Sequence, residues 1–347
     1  MEKLERTKLE TLHRFLTESR RVTLVSHTHP DGDAVGSTTA LYLWLRSLGK
    51  EAHVCFPTRV PDSLAFIAQD AEARAYDPGC CDADILSSDL LVCLDFNALN
   101  RAEGMETLLR SLSAKKVLID HHLAPAEDEF DLCFSRTDVS SACELLFYSL
   151  MEMPEIGGDA RRLPPASAAA LMAGMTTDTN NFAKSVFPST LEMASRLLAA
   201  GVDRDALLEA LYNRYRENRI RLFGEMLKDR LVISPRGVAC MFLDEAVKRR
   251  WDVREGESDG LVNQPLAIDR VKLSVLVKEE DDGSVRVSLR SKRGVSANRC
   301  ARLYFHGGGH EQAAGGKILV PQDVPAAAAA GDFAARMAEQ YMELYES

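Results

Sequence analysis

Val22-Thr23-Leu24-Val25-Ser26-His27-Thr28-His29-Pro30-Asp31-Gly32-Asp33-Ala34-Val35-Gly36-Ser37 is an apolar run that breaks into histidine, aspartate and glycine. Val22–Val25 reads as a buried strand. Ala34–Leu48 reads as a helix, with Val35, Leu41, Trp44, Leu45 and Leu48 facing inward. A strand that ends in polar residues just before a helix is where open α/β sheets place their ligand sites. Three candidate metal ligands, His27, Asp31 and Asp33, lie close together here. Neighbouring carboxylates raise each other's pKa, and a divalent cation between them removes that cost.

Further along the chain the same design recurs. Glu51–Phe56 reads as a second strand. Leu90-Leu91-Val92-Cys93-Leu94 is closed by Asp95, and Lys116-Val117-Leu118-Ile119 by Asp120-His121-His122. Continuous apolar runs are expected of parallel strands buried on both faces, and helical stretches between them favour βαβ connections. Such a layout gathers His27, Asp95 and His121 at one sheet edge. Helices are predicted over 4–18, around Leu64–Ala68, over Val139–Leu150, from Pro164-Pro165 to Met175, and over Pro188–Ala200 before Gly201. Thr176-Thr177-Asp178-Thr179-Asn180-Asn181-Phe182 ends the apolar helix in a polar cluster. Asp203 to about Lys228 reads as one long charged helix joining two domains.

From Arg230 the chain turns to short strands. Leu231–Ser234 with Val238–Leu243, and Lys272–Lys278 with Ser284–Arg290, read as hairpins. A helix over Val295–Phe305 leads to His306-Gly307-Gly308-Gly309-His310. Three successive glycines need a geometric reason, and backbone N–H groups exposed before a helix would make an anion nest. Arg290-Ser291-Lys292-Arg293 can add charge-assisted bonds to a phosphate. A final helix spans 325–346. The expected architecture is α/β throughout: an N-terminal parallel-sheet domain (1–202), a helical linker (203–229) and a smaller C-terminal α/β domain (230–347).

Length and charge set limits on function. The 347 residues suffice for two cores. A net charge of −10 argues against a broad basic surface wrapping long nucleic acid, while a local site can still take a small anion. The eight cysteines form no CxxC pair and several sit in apolar runs, which suits a reducing, cytoplasmic setting. No apolar run approaches a membrane span, and the first residues begin no secretory signal. A Walker loop, a GxGxxG fingerprint and a G-x-S-x-G elbow are all absent from the sequence.

The candidate ligands are therefore His27, Asp31, Asp33, Asp95, His121 and Asp178. Mixed imidazole and carboxylate donors suit Mn, Fe, Co or Zn. Six ligands exceed what one catalytic ion needs, and suit two ions about 3.5–4 Å apart sharing a carboxylate. His122 is placed to orient a ligand, touch a phosphate or protonate a leaving group. His29, restricted by Pro30, is expected to support the loop.

Together these blocks resemble the DHH phosphoesterases, specifically the DHH–DHHA1 branch. The resemblance rests on His27-Thr28-His29-Pro30-Asp31-Gly32-Asp33, Leu94-Asp95, Asp120-His121-His122, Thr177-Asp178-Thr179 and Gly307-Gly308-Gly309-His310-Glu311-Gln312-Ala313-Ala314-Gly315, in family order. It implies two manganese ions: His27 and Asp31 on one, Asp33, His121 and Asp178 on the other, and Asp95 bridging. It implies that His122 lies near the scissile phosphate and that Asp120 supports the site. It further implies that Arg290, Gly307, Gly308, Gly309 and His310 contact substrate across an interdomain cleft. Two positions depart from the family pattern: His306 stands where a fourth glycine is common, and Asn180 where glycine is common. Asn tolerates the left-handed backbone better than most residues.

The implied reaction is hydrolysis of short oligoribonucleotides to 5′-mononucleotides, of pAp to AMP and phosphate, or of both. Polyphosphate or pyrophosphate and the linear dinucleotide pGpG are the alternative substrates. A non-catalytic nucleotide-binding protein and a structural metal module are the alternatives of another class. Both are disfavoured because all six ligand positions match. With no sensor or membrane module ahead of the catalytic residues, a membrane-bound cyclic-dinucleotide enzyme is the less expected relative. Expected partners are short single-stranded oligonucleotides or small nucleotides and a second copy of the chain, with no long duplex and no membrane.

Overall fold

The computed structural model describes residues 4–254, 256–280 and 282–346. The chain forms two compact units that part between Arg214 and Tyr215.

The first unit is built on a six-stranded parallel sheet. Its elements begin α1 (Arg6–Glu18), β1 (Arg21–Val25), α2 (Gly32–Ser47), β2 (Glu51–Phe56), α3 (Ala65–Ala68), β3 (Arg74–Ala75) and α4 (Pro78–Leu86). There follow β4 (Leu90–Leu94), α5 (Glu106–Ser111), β5 (Lys115–Asp120) and β6 (Leu132–Ser135). The helices α6 (Ala142–Met151), α7 (Pro165–Asp178), α8 (Pro188–Ala199) and α9 (Arg204–Tyr212) complete it. Strand order is β3-β2-β1-β4-β5-β6. From β1 the chain runs outward one way through β2 and β3, then returns to β4 on the other side of β1 and continues outward. The reversal between β1 and β4 leaves a crevice at the carboxyl ends of those strands, the usual ligand position in such sheets.

Both faces of this sheet are covered, which accounts for the unbroken apolar runs. Leu24, Val92 and Ile119 pack with Leu41, Trp44, Leu145 and Leu171 on one face. Val25, Leu91, Cys93 and Leu118 pack with Ile85, Phe96 and Leu109 on the other. The eight cysteines are free thiols, six of them buried.

The second unit comprises α10 (Glu217–Asp229), β7 (Val232–Ile233), β8 (Val238–Leu243), α11 (Glu245–Arg250), β9 (Leu273–Glu279) and β10 (Val285–Ser291). It ends with α12 (Ala297–Tyr304), β11 (Gly308–His310), β12 (Ala313–Ile318) and α13 (Ala330–Glu346). The sheet order is β11-β12-β10-β9-β8-β7, with only β8 and β9 parallel. Period-2 alternation sends Val238 and Cys240 toward α12 and α13, and Met241 and Leu243 toward Leu222 and Met226 of α10.

Two expectations are corrected. The single helix over 203–228 is two helices, because Arg216 takes extended backbone at the N-cap of α10. Its guanidinium is committed to Asp252 and Glu257. The glycine block does not precede a helix: it forms β11 and pairs with β12 as a hairpin. A Cβ on Gly307 would overlap the Gly315 carbonyl, and one on Gly309 would lie 2.6 Å from the Ala313 carbonyl oxygen. Close approach between strands, rather than an anion nest at a helix end, is the geometric reason for these glycines.

Candidate metal centre

His27 follows β1 directly. Its Nδ1–H donates to the Thr28 carbonyl at 2.8 Å, which fixes the tautomer and turns Nε2 toward the carboxylates. Asp31 caps α2, its Oδ1 accepting from the backbone N–H of Asp33 and Ala34 at 3.0 and 3.1 Å. The helix therefore starts two residues earlier than its apolar pattern indicates, at Gly32.

Asp33 is buried against the start of α6. Its Oδ2 accepts from the Ala142 N–H at 2.6 Å and its Oδ1 from the Cys143 N–H at 2.9 Å. A helix N-terminus is a favourable place for a carboxylate. The fit depends on Gly174 of α7, where a Cβ would overlap the Cys143 sulfur and stand 3.1 Å from Asp33 Cα. Asp178 is the last residue of α7 rather than part of the following turn. Beyond it Asn180 has φ 49°, the left-handed backbone expected there.

Asp95 stands at the centre. Its N–H continues the ladder to the Ile119 carbonyl at 3.1 Å. The backbone then turns left-handed (φ 64°), a conformation that aspartate tolerates better than most residues. Oδ2 lies 3.5 Å from His27 Nε2, and Oδ1 lies 3.4 Å from His121 Nε2. Each oxygen thus faces a different histidine. His121 Nε2 is also 3.6 Å from Asp178 Oδ2 and 3.8 Å from Asp33 Oδ2.

Three donor groups result, each with ligand atoms within 4.8 Å of one another: His27/Asp31/Asp95, Asp33/His121/Asp178 and Asp95/His121/His122. The buried Oδ1 of Asp95 makes no well-formed hydrogen bond and faces the rings of His121 at 3.4 Å and His122 at 3.8 Å. A cation between this oxygen and the imidazoles would give it the close partner that these ion pairs do not. The donor set fits two divalent ions sharing Asp95.

The titration of these groups reflects their crowding. Burial lowers the His27 pKa, but Asp95 and Asp31 outweigh it and raise it to about 9. For His121 burial is likewise outweighed, by Asp95, Asp178 and Asp33, and the pKa rises to about 10. Burial would raise Asp95, yet the two histidines hold it well below the carboxylate range. Burial, then repulsion from Asp95 and Asp178, pushes Asp33 well above it. Burial also lifts Asp178 to about 6, with the Asp31 and Asp95 charges adding to the rise.

His122 is oriented by Asp120, whose Oδ1 accepts from Nδ1 at 2.7 Å and whose Oδ2 accepts from the His122 backbone N–H at 3.1 Å. Asp120 is fully buried and belongs to none of the three donor groups. His29 is exposed, with φ 52° and its backbone N–H donating to Thr58 Oγ1 at 2.7 Å. It too is outside the donor groups.

In the second unit, Arg290 lies on β10 opposite Ala313, and Nη1 donates to the Leu289 carbonyl at 2.9 Å. Burial lowers its pKa, with Asp259 opposing. His310 ends β11 and is exposed. His306 has φ 47°, the backbone a glycine would take freely, and its Nε2 meets Asp323 Oδ2 at 3.0 Å.

Gly174 and the α6 cap escaped the sequence reading. Ser141-x-x-Glu144 has the spacing of a capping box, and Ser141 Oγ does accept from the Glu144 N–H at 3.0 Å.

A parallel α/β unit carrying two histidine–aspartate metal sites joined by one aspartate at its switch point is a metal-dependent enzyme with a two-metal active site. The chain belongs to the DHH/DHHA1 family of phosphoesterases: residues 21–175 match the DHH family N-terminal domain and residues 238–335 the DHHA1 domain. It is 28% identical over 304 residues to the probable bifunctional oligoribonuclease and PAP phosphatase NrnA of Streptococcus mutans, covering 84% of this chain and 88% of that one. It is 29% identical to the bifunctional oligoribonuclease and PAP phosphatase NrnA of Thermus thermophilus, covering 85% and 83%. The crystal structure of an exopolyphosphatase-related protein from Bacteroides fragilis superposes with a TM-score of 0.89 at 31% identity, covering 99% of this chain and 98% of that one. No helix among the described residues is long and apolar enough to cross a membrane.

Proposed function

We propose that this enzyme hydrolyses short oligoribonucleotides to 5′-mononucleotides, pAp to AMP and phosphate, or both, with two Mn²⁺ ions. The observation that carries the reading is Asp95, whose two oxygens face the Nε2 atoms of different histidines. The substrate class is supported by the NrnA relatives, which align over most of both chains. The eight free thiols support a cytoplasmic setting.

His27 and Asp31 would hold one ion, Asp33, His121 and Asp178 the other, and Asp95 both. Two ions there supply a water of lowered pKa and neutralise phosphate charge. The Asp33 carboxylate keeps its plane because two backbone N–H groups hold it. Asp120 accepts from the Nδ1–H of His122 and so fixes the ring, which would exchange a proton with the leaving oxygen. Arg290 and His310, with the backbone of Gly307, Gly308 and Gly309, would hold the substrate phosphate. His29 steadies the loop between His27 and Asp31.

The test is product analysis with purified protein and Mn²⁺. It offers 5′-labelled RNAs of two to five nucleotides, pAp, pGpG and polyphosphate in parallel. Mononucleotide release from short RNA, with or without phosphate release from pAp, supports the reading. A second reading, polyphosphate hydrolysis, is favoured by the close structural match to the exopolyphosphatase-related protein. Phosphate release from polyphosphate alone would select it. Turnover of none of the four would refute both.

A further inference from the structure

Glu144 is buried in the first turn of α6 and reaches no metal-ligand side chain. Its Oε2 accepts three hydrogen bonds: from the Ser140 N–H at 2.9 Å, from Ser140 Oγ at 2.5 Å and from Thr190 Oγ1 at 2.7 Å. These bonds fix two stretches of backbone. The first is the turn entering α6, whose next two N–H groups, at Ala142 and Cys143, are those that grip Asp33. The second is the first turn of α8, where Thr190 Oγ1 also accepts the Phe187 N–H at 3.0 Å. Phe187 closes the segment that leaves Asp178, a segment in which Asn180, Asn181, Phe182 and Ser185 all have left-handed backbone. One carboxyl group therefore joins the anchor of Asp33 to the chain that follows Asp178.

We propose that Glu144 is a positioning residue for the metal site formed by Asp33, His121 and Asp178, and not for the site formed by His27 and Asp31. Both oxygens of Asp33 are already occupied by N–H groups, so this ligand has little freedom to reorient. A shift of the α6 turn passes directly to its carboxylate. Asp31 is held by its own helix cap instead, through the N–H groups of Asp33 and Ala34. Partners that orient metal ligands in this way are commonly worth 10–100-fold in metal affinity.

Glu144's role rests on the two-metal centre of the proposed function but not on any substrate. The experiment titrates metal-free protein with MnCl₂ by calorimetry and compares wild type with Glu144→Gln, Glu144→Ala and Asp31→Asn. Melting of each metal-free protein is followed in parallel. In Glu144→Ala one ion is expected to weaken at least about tenfold while the other keeps its wild-type affinity. Glu144→Gln, which keeps an acceptor oxygen where all three bonds converge, should stay near wild type. Combining Glu144→Ala with Asp31→Asn should then weaken both ions. Turnover of Glu144→Ala should recover at saturating Mn²⁺ with an unchanged KM, which a general loss of structure would not allow. Two ions bound with wild-type affinity in Glu144→Ala would overturn the proposal, as would equal weakening of both. Should Glu144→Ala fail to fold, Thr190→Val, which removes only the bond to α8, decides by the same two criteria. A wild-type protein that binds no Mn²⁺ would overturn the two-metal reading itself, and the role of Glu144 with it.

Discussion

Loading the centre with metal should expel protons, and the number follows from the site. His27 and His121 bind an ion only as neutral imidazoles. In the metal-free protein their pKa values stand at about 9 and about 10, against an ordinary 6.5. At pH 7 the first is thus protonated by a factor of about 100 and the second by about 1,000. Filling both sites at pH 7 should release at least about two protons, with Asp33, whose pKa is also raised, able to add to them, and the combined affinity for the ion pair should rise at least about 100-fold per pH unit from pH 7 to 8. Asp178, at about 6, adds to the release as pH falls toward 6. Calorimetry in buffers of different ionisation heat counts the protons. Release below about half a proton per ion pair, or an affinity flat from pH 7 to 8.5, would refute the assignment of both histidines as ligands. The same shifts set the stability of the metal-free protein. A histidine raised in the folded state stabilises fully below its unfolded pKa of 6.5, and the contribution disappears as pH climbs through the folded value. The metal-free melting temperature should therefore fall between pH 7 and 10.

Three substitutions examine other parts of the site. Asp95→Asn should cost at least about a thousandfold in turnover and weaken both ions, since it removes charge from the shared ligand; near-normal turnover with two ions bound would end the bridging role. His310→Ala should raise KM about tenfold or more at unchanged metal content, as expected of a phosphate contact worth at least about 1.4 kcal/mol, and loss of the ions would show that the role of His310 is wrong. Gly174→Ala should destabilise by about 1–3 kcal/mol in urea unfolding, because its Cβ overlaps the Cys143 sulfur in a packed interior; an unchanged midpoint would show that α6 and α7 have slack there.

The strands that matter for the site were legible because each couples a local signal to a local consequence. β1, β4 and β5 are apolar runs followed within two residues of their last apolar residue by the ligands His27, Asp95 and His121, so pattern and chemistry coincide. The break before Arg216 was not legible: no proline or glycine marks residues 213–216, and the charged helical pattern runs through them. The hairpin of β11 and β12 was misread because a glycine run carries no periodicity. Its pairing depends on Ala313–Gly316, whose contribution appears only in three dimensions. Glu144 shows the same limit. A glutamate in a first helical turn ordinarily faces water, whereas this one is covered by contacts that include Thr190 of α8, distant in sequence.

The ligands are drawn from position 27 to position 178, at the carboxyl ends of β1, β4, β5 and α7 and the amino end of α2. Ions at this junction would be reversible cross-links closing a loop of about 150 residues, and clips that close long loops remove the most entropy from the unfolded chain. At a thousandfold excess over its dissociation constant a single ion adds about 4 kcal/mol to the folded state. Metal supply would then govern how long the chain survives proteolysis as well as how fast it turns over. Chelation should open the junction between α7 and the sheet to proteases before the core of either unit yields.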